Sequence, residues 1–346
     1  MKRNQKNLLV ILILFILVYI YSHSTTYDEF NNDEILKSIS LNLKENQEML
    51  VFKSKNPFNF YDILNNLENT SNQTVYGIIT YPLIKKEKYP LVMGVAGSLG
   101  WSEHHYRYLQ EFLDQGIATL SLHSFQSRGI RSTVGEQVSV TIPMVVHDAF
   151  SALKALKNIN NIDSKKVAIT GWSLGGGVAL FSAWEPIQLK LSPSLKFAAH
   201  LPFYPPCVAK PEVPNFTDSP LHILAGASDN WVPAKPCEEL IYELNKLGYN
   251  NASITTYDDA HHSFDRESNV VKVDNAYRLE DCSLLLNEKG IVSTNTLISI
   301  PMKNGLMQKL GLMFCAEKGP TMGGNKIARE ASFEFASNFM IEHLLD

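Results

Sequence analysis

Charge of one sign is what this sequence most lacks. Its 31 Lys and Arg stand against 35 Asp and Glu, a formal net charge of −4, with no basic run anywhere. A nucleic-acid surface or a polyanion partner needs clustered cations, so neither is expected. Cysteine is scarce, four in 346 residues with no C-x-x-C spacing, which argues against a metal site. No apolar run reaches the roughly 20 residues of a full membrane span. The run from Leu8 to Tyr21 is about fourteen residues long.

That run is preceded by Lys2, Arg3 and Lys6 and followed by polar residues, the layout of an export signal. Ser22-His23-Ser24 offers a small-x-small cleavage pattern, while an uncleaved anchor with Tyr19 and Tyr21 at the interface stays open. Either way the rest of the protein is expected outside the cytoplasm, periplasmic or extracellular, and to meet a membrane only through residues 8–21. In such a compartment four cysteines permit two disulfides among three pairings. Cys207 with Cys237 and Cys282 with Cys315 are the expected pairs, each tying down a loop region on its own side of the sequence. The sequons at Asn69, Asn72, Asn215 and Asn251 arise readily in an Asn-rich chain and carry no weight.

With 45% apolar residues the chain can bury one large core. Thr25 to about Asn72 reads as a polar tether, with a helix near Asp33 to Asn46 and an edge strand at Met49 to Lys53. From residue 73 to 346 strands and helices alternate. TVYGIITYP, YPLVMGVA, IATLSL, KKVAIT, FAAHLPFY, PLHILAG and ASITTY read as strands. Ser102 to Gln115, closed by Gly116, Pro143 to Asn158, and Ala234 to Leu247 read as helices. Such alternation predicts an α/β fold: a mostly parallel sheet with helices on both faces and ligands at the carboxyl ends of its strands.

Within that pattern Gly171-Trp172-Ser173-Leu174-Gly175 joins a β-branched strand to an apolar helix. A G-x-S-x-G turn there is a nucleophile elbow: it lifts the Ser173 hydroxyl above the sheet and aims the Leu174 N–H at the same point. A serine needs a base held by an acid, and in this architecture the chain order is serine, acid, histidine. Asp229 follows HILAG and His262 follows ITTY, both in the expected places. Asp258 and Asp259 compete for the acid role and read as solvated turn residues; His261 competes with His262 and is expected to face solvent.

From about Met49 onward the chain resembles the dienelactone hydrolase family of α/β-hydrolases, in its serine-bearing, exported branch. GWSLGGG, LHSFQSRGI, GASDNWVPAKPCEEL and AHHSFD carry the resemblance. It implies Ser173 as nucleophile, Asp229 as acid and His262 as base, cleaving a small-molecule carboxylic ester or lactone through an acyl-enzyme, with no metal and no cofactor. A binding protein that keeps the scaffold without the chemistry, or a peptidase on the same triad, are the alternatives. Where the family's first oxyanion loop usually reads His-Gly, this chain has Ala96-Gly97-Ser98-Leu99-Gly100, which leaves the Ser98 N–H as second oxyanion donor. His123 stands where the family usually has aspartate, and Ser173 where the named dienelactone enzyme has cysteine.

Four further side chains are candidates for substrate contact. Arg128, and after it Arg131, follow the fourth strand, where a guanidinium could clamp a substrate carboxylate or pair structurally. Trp172 and Trp231 flank nucleophile and acid and could wall the pocket or fill the core. Residues 266–324, before a last helix at Lys326 to Leu344, form an insertion with a hairpin from Leu279 to Ile300 around Glu288-Lys289-Gly290. It reads equally as a rim over the site or as decoration at the sheet edge.

Overall fold

The computed structural model describes residues 32–297 and 299–346, so the signal or anchor expected at residues 8–21 lies outside the described residues. The chain runs through α1 (Asn32–Ser40), β1 (Gln47–Lys55), α2 (Phe60–Asn65), β2 (Asn72–Thr80), β3 (Tyr89–Val95), α3 (Glu103–Asp114), β4 (Ala118–Leu122) and α4 (Ile142–Leu156). It continues through β5 (Ile162–Trp172), α5 (Leu174–Phe181), α6 (Glu185–Leu191), β6 (His200–Phe203), β7 (Ala209–Pro211), β8 (Leu221–Gly226), α7 (Lys235–Lys246) and β9 (Ala252–Tyr257). The remainder holds β10 (Val271–Lys272), β11 (Tyr277–Arg278), β12 (Leu284–Leu286), β13 (Val292–Thr294), α8 (Gly305–Leu312), β14 (Glu317–Lys318), β15 (Thr321–Met322) and α9 (Lys326–Leu344).

Eight strands form the central sheet in the order β1-β2-β4-β3-β5-β6-β8-β9. β1 with β2 and β2 with β4 are antiparallel, and every later pair is parallel. The fold is the α/β class that the alternation predicts. Residue burial explains the arrangement: β3 is buried at all seven positions, as a strand covered on both faces must be. The edge strand β1 instead alternates, with Leu50, Phe52 and Ser54 turned inward and Val51 and Lys53 turned out.

Two apolar clusters pack on opposite faces. One gathers α4 and α5 around Val146, Phe150, Val178 and Phe181; the other gathers α3 and α9 around Tyr108, Phe112, Phe339 and Met340. The chain passes from β3 outward to β4 and then crosses back to β5, so the strand order reverses between β3 and β5. That reversal opens a crevice at their carboxyl ends, the place where such sheets bind ligands.

Two expectations need revision. α1 stops at Ser40, short of the predicted Asn46, because the Asn42 side-chain amide takes the Ser38 carbonyl that its own backbone N–H would have used, and that N–H turns to the Ile39 carbonyl instead. The segment before residue 73 is more than a tether, since Phe60 and Ile63 of α2 enter the core.

Residues 266–324 leave and rejoin the body through two paired ribbons, β10 with β15 and β11 with β14. Between them β12 and β13 form the expected hairpin, turned at Gly290 with φ +84. β12 also pairs in parallel with β7, so the hairpin becomes part of a three-stranded sheet. Disulfides join Cys207 to Cys237 and Cys282 to Cys315, across 30 and 33 residues. A bridge closing a loop of that length stabilises a fold by about 3–4 kcal/mol. Two disulfides and no free cysteine suit an oxidising environment outside the cytoplasm. Among the described residues, no helix is long and apolar enough to cross a membrane.

Burial also sets an acid limit on stability. His104, His123, His147 and His200 are buried, and desolvation pushes each imidazole down from 6.5 to about 4. Between those values the unfolded chain binds protons that the folded chain refuses, so stability rises with pH, by up to about 1.4 kcal/mol per pH unit for each group. The melting temperature should therefore fall steeply as pH drops from 6.5 to 4.5, read by circular dichroism. A flat profile there would mean that these imidazoles protonate without unfolding.

Candidate active site

The elbow forms where β5 runs into α5. Ser173 is held at φ 57 and ψ −113, a strained backbone for a residue with a side chain, worth on the order of 1–3 kcal/mol. Space explains the glycines beside it: a Cβ on Gly175 would fall 2.0 Å from the Val95 carbonyl oxygen, and one on Gly171 would fall 2.2 Å from that of Gly175. The turn is thus wedged against the end of β3. Leu174 opens α5, so its N–H belongs to the unbonded first turn of a helix.

The loops after β8 and β9 bring the other two groups to this turn. His262 Nε2 lies 2.9 Å from Ser173 Oγ, and His262 Nδ1 lies 2.7 Å from Asp229 Oδ2. The second Asp229 oxygen accepts the N–H groups of Trp231 and Val232, both at 2.9 Å. This leaves the carboxylate a pure acceptor, so Nδ1 carries the proton and Nε2 is free to accept from the serine. Asp229 is fully enclosed, His262 nearly so, while Ser173 stays partly open.

The imidazole is clamped as well as bonded. Trp231 and Tyr204 each lie 4.8 Å from it, the tyrosine edge-on. The His262 carbonyl accepts the Gly323 N–H at 2.9 Å, which ties the histidine loop to the returning end of the insertion.

Facing the elbow is the turn after β3, so close that a Cβ on Gly97 would meet Ser173 Cβ at 3.3 Å. Ser98 follows it, buried, its carbonyl accepting the Thr133 N–H at 3.0 Å and its hydroxyl against the Gln137 amide at 3.3 Å. The Gln137 carbonyl in turn accepts from the Gln308 side chain of α8, at 2.8 Å.

The dienelactone hydrolase family model matches residues 100–284, more than half of the chain, a stretch that contains Ser173, Asp229 and His262. The chain belongs to the dienelactone hydrolase family. Among solved structures, the esterase 2 of Thermogutta terrifontis in its paraoxon-phosphorylated form is 16% identical over 86% of this chain and 94% of its own, with a TM-score of 0.50. A dienelactone hydrolase-like promiscuous phosphotriesterase from metagenomic libraries is 16% identical over 85% of this chain and 98% of its own, with a TM-score of 0.49. No curated protein matches by sequence. The family makes the chain a hydrolase of the dienelactone hydrolase type.

Several candidates in this hydrolase take other places than expected. Arg128 is buried and forks onto Asp148 of α4, with N–O distances of 2.7 and 3.0 Å, and gives further bonds to the Ser124 and Lys55 carbonyls and to Asn56. The fork is satisfied before any ligand arrives. Arg131 is exposed on the same loop. Trp172 is wholly buried and stacks on His105 and Phe203 in the core of the α3 face, and it also bounds the hollow beside Ser173. Trp231 bounds that hollow and the larger cavity under the insertion. His123 stacks on Tyr76, and His261 bonds the Thr321 hydroxyl at 2.9 Å instead of facing solvent. Asp258 and Asp259 are exposed turn residues.

One contributor escaped the sequence. Tyr204 directly follows β6 at φ 36 and donates to Asp265 at 2.8 Å; burial, with the Asp265 charge adding to it, pushes the phenol well above its ordinary value. It remains a neutral donor that fixes the ring against His262. Its only signal was a tyrosine closing the strand next to the elbow strand.

Removing either end of the Arg128 to Asp148 pair would strand a buried charge. Arg128→Ala and Asp148→Ala should each cost about 3–5 kcal/mol in urea denaturation. KM for a neutral ester should change less than about twofold, in keeping with a pair outside the site. A large KM effect with full stability would restore Arg128 as a substrate ligand.

Proposed function

We propose that this hydrolase cleaves a carboxylic ester or lactone by acyl transfer through Ser173. The observation that carries the reading is the continuous hydrogen-bonded line from Ser173 Oγ through His262 to Asp229, at 2.9 and 2.7 Å, beside the first turn of α5. Ser173 attacks the carbonyl carbon as His262 Nε2 takes its proton. Asp229 keeps the imidazole in the accepting tautomer and stabilises its positive charge. The N–H groups of Leu174 and Ser98 receive the oxyanion, helped by the dipole of α5. His262 then returns the proton to the departing alkoxide, and a water repeats the sequence to release the acid.

The Ser98 N–H is engaged by no other described residue, which suits a donor reserved for a developing charge. Family membership and the two disulfides support an exported esterase, held at the membrane or released according to the fate of residues 8–21.

A fluorophosphonate probe should label the protein at Ser173, and Ser173→Ala should lose both the label and ester turnover. Losing Ser173 or His262 should lower kcat by on the order of 10⁴–10⁶-fold, and Asp229→Ala somewhat less. An unlabelled protein without ester turnover contradicts the reading and leaves a binding protein on the same scaffold; a Ser173→Ala variant that still turns over esters contradicts it by placing the chemistry on another residue.

A further inference from the structure

Ser173 stands between two hollows of different size and chemistry. The larger, about 1090 Å³ including its open mouth, runs from the elbow beneath the insertion. Phe60, Phe181, Val208, Leu284, Val292 and Met302 supply much of its wall, and none of the side chains that line it is charged. The smaller, about 320 Å³ with its own open mouth included, lies between the turn after β3 and the histidine loop. His262, Ser263, Val134, Arg266 and Met322 are among the residues that bound it. The two share Ser98, Ser173 and Trp231, so both reach the nucleophile, but only the smaller one is lined by His262.

Proton delivery decides which half of an ester enters which hollow. The alkoxide leaves with the proton held on His262 Nε2, so the alcohol half must lie against His262, and the hydrolytic water must later occupy the same place. The acyl half then points the other way, past Leu174 and Ser98 into the large cavity. Its lining offers a carboxylate no cation, Arg128 being committed to Asp148, and an unpaired charge taken from water into such a wall is strongly disfavoured.

We propose that the substrate is a neutral ester of a medium-length apolar acyl chain with a small alcohol. The chain lies in the cavity roofed by β12, β13 and α8, and a substrate carrying a carboxylate on its acyl part is excluded. This rests on the acyl-transfer reading above and adds its substrate class. The insertion therefore sets acyl selectivity, with the Cys282 to Cys315 bridge holding its wall.

Ethyl octanoate and octyl acetate are isomers with the long chain on opposite sides of the ester, so overall hydrophobicity cancels in their comparison. With the full chain in a pH-stat assay, kcat/KM for ethyl octanoate should exceed that for octyl acetate at least tenfold. It should exceed that for monoethyl octanedioate, which ends the same chain in a carboxylate, at least a hundredfold. Val292→Trp, which narrows the cavity, should lower the ratio of ethyl octanoate to ethyl acetate turnover at least tenfold. Equal or reversed isomer rates, good turnover of the acid ester, or an unchanged ratio in the folded Val292→Trp protein would each overturn the assignment while leaving a Ser173 esterase standing. Absence of both ester turnover and a fluorophosphonate adduct would instead remove the underlying reading, and the substrate class with it.

Discussion

The elbow at Ser173 constrains everything around it. A residue at φ 57 between two glycines is tolerable only where the surrounding backbone leaves no alternative, and here the carbonyl ends of β3 and β5 enclose the turn. The strain is held by the buried parallel strands, whose Leu91, Val92, Met93 and Ile169 are fully enclosed. A fully buried side chain of this kind contributes about 1.5–3 kcal/mol, so a handful of them exceeds the cost of one strained turn. The core of this fold is thereby coupled to its candidate site: the same packing that stabilises the sheet fixes Ser173.

Around that fixed point the other groups are held by different means. Asp229 is oriented by two backbone N–H groups of its own loop, and His262 by aromatic rings on two sides and by the Gly323 N–H. The turn bearing Ser98 is fastened through Thr133 and abuts Gln137, whose carbonyl bonds α8 of the insertion. The insertion is therefore connected mechanically to both sides of Ser173. It lies over the cavity, not at the edge of the sheet.

Much of this was legible in the sequence where local chemistry dictates local structure. The elbow, the strands on either side of it, the Ser102 start of α3 and the proline in the first turn of α4 follow from short patterns of glycine, serine and proline. The positions of Asp229 and His262 follow from strand order. What stayed hidden depends on contacts distant along the chain. Arg128 looked like a clamp because its loop ends near the site, but its partner Asp148 lies twenty residues away on a helix whose facing cannot be read from spacing alone. Trp172 was ambiguous because alternation along a strand tells one face from the other but not which face the site opens on. Phe58 and Phe60, from the region read as a tether, line the cavity through packing that no motif encodes.

The claim on which the chemistry rests is a covalent acyl-serine. Rapid acid quench of the protein during turnover of an octanoate ester, followed by peptide mass spectrometry, tests it most directly. An octanoyl mass increment should appear on the peptide containing Ser173 and vanish as substrate is exhausted. No increment under conditions of rapid turnover, or an increment confined to another residue, would contradict it.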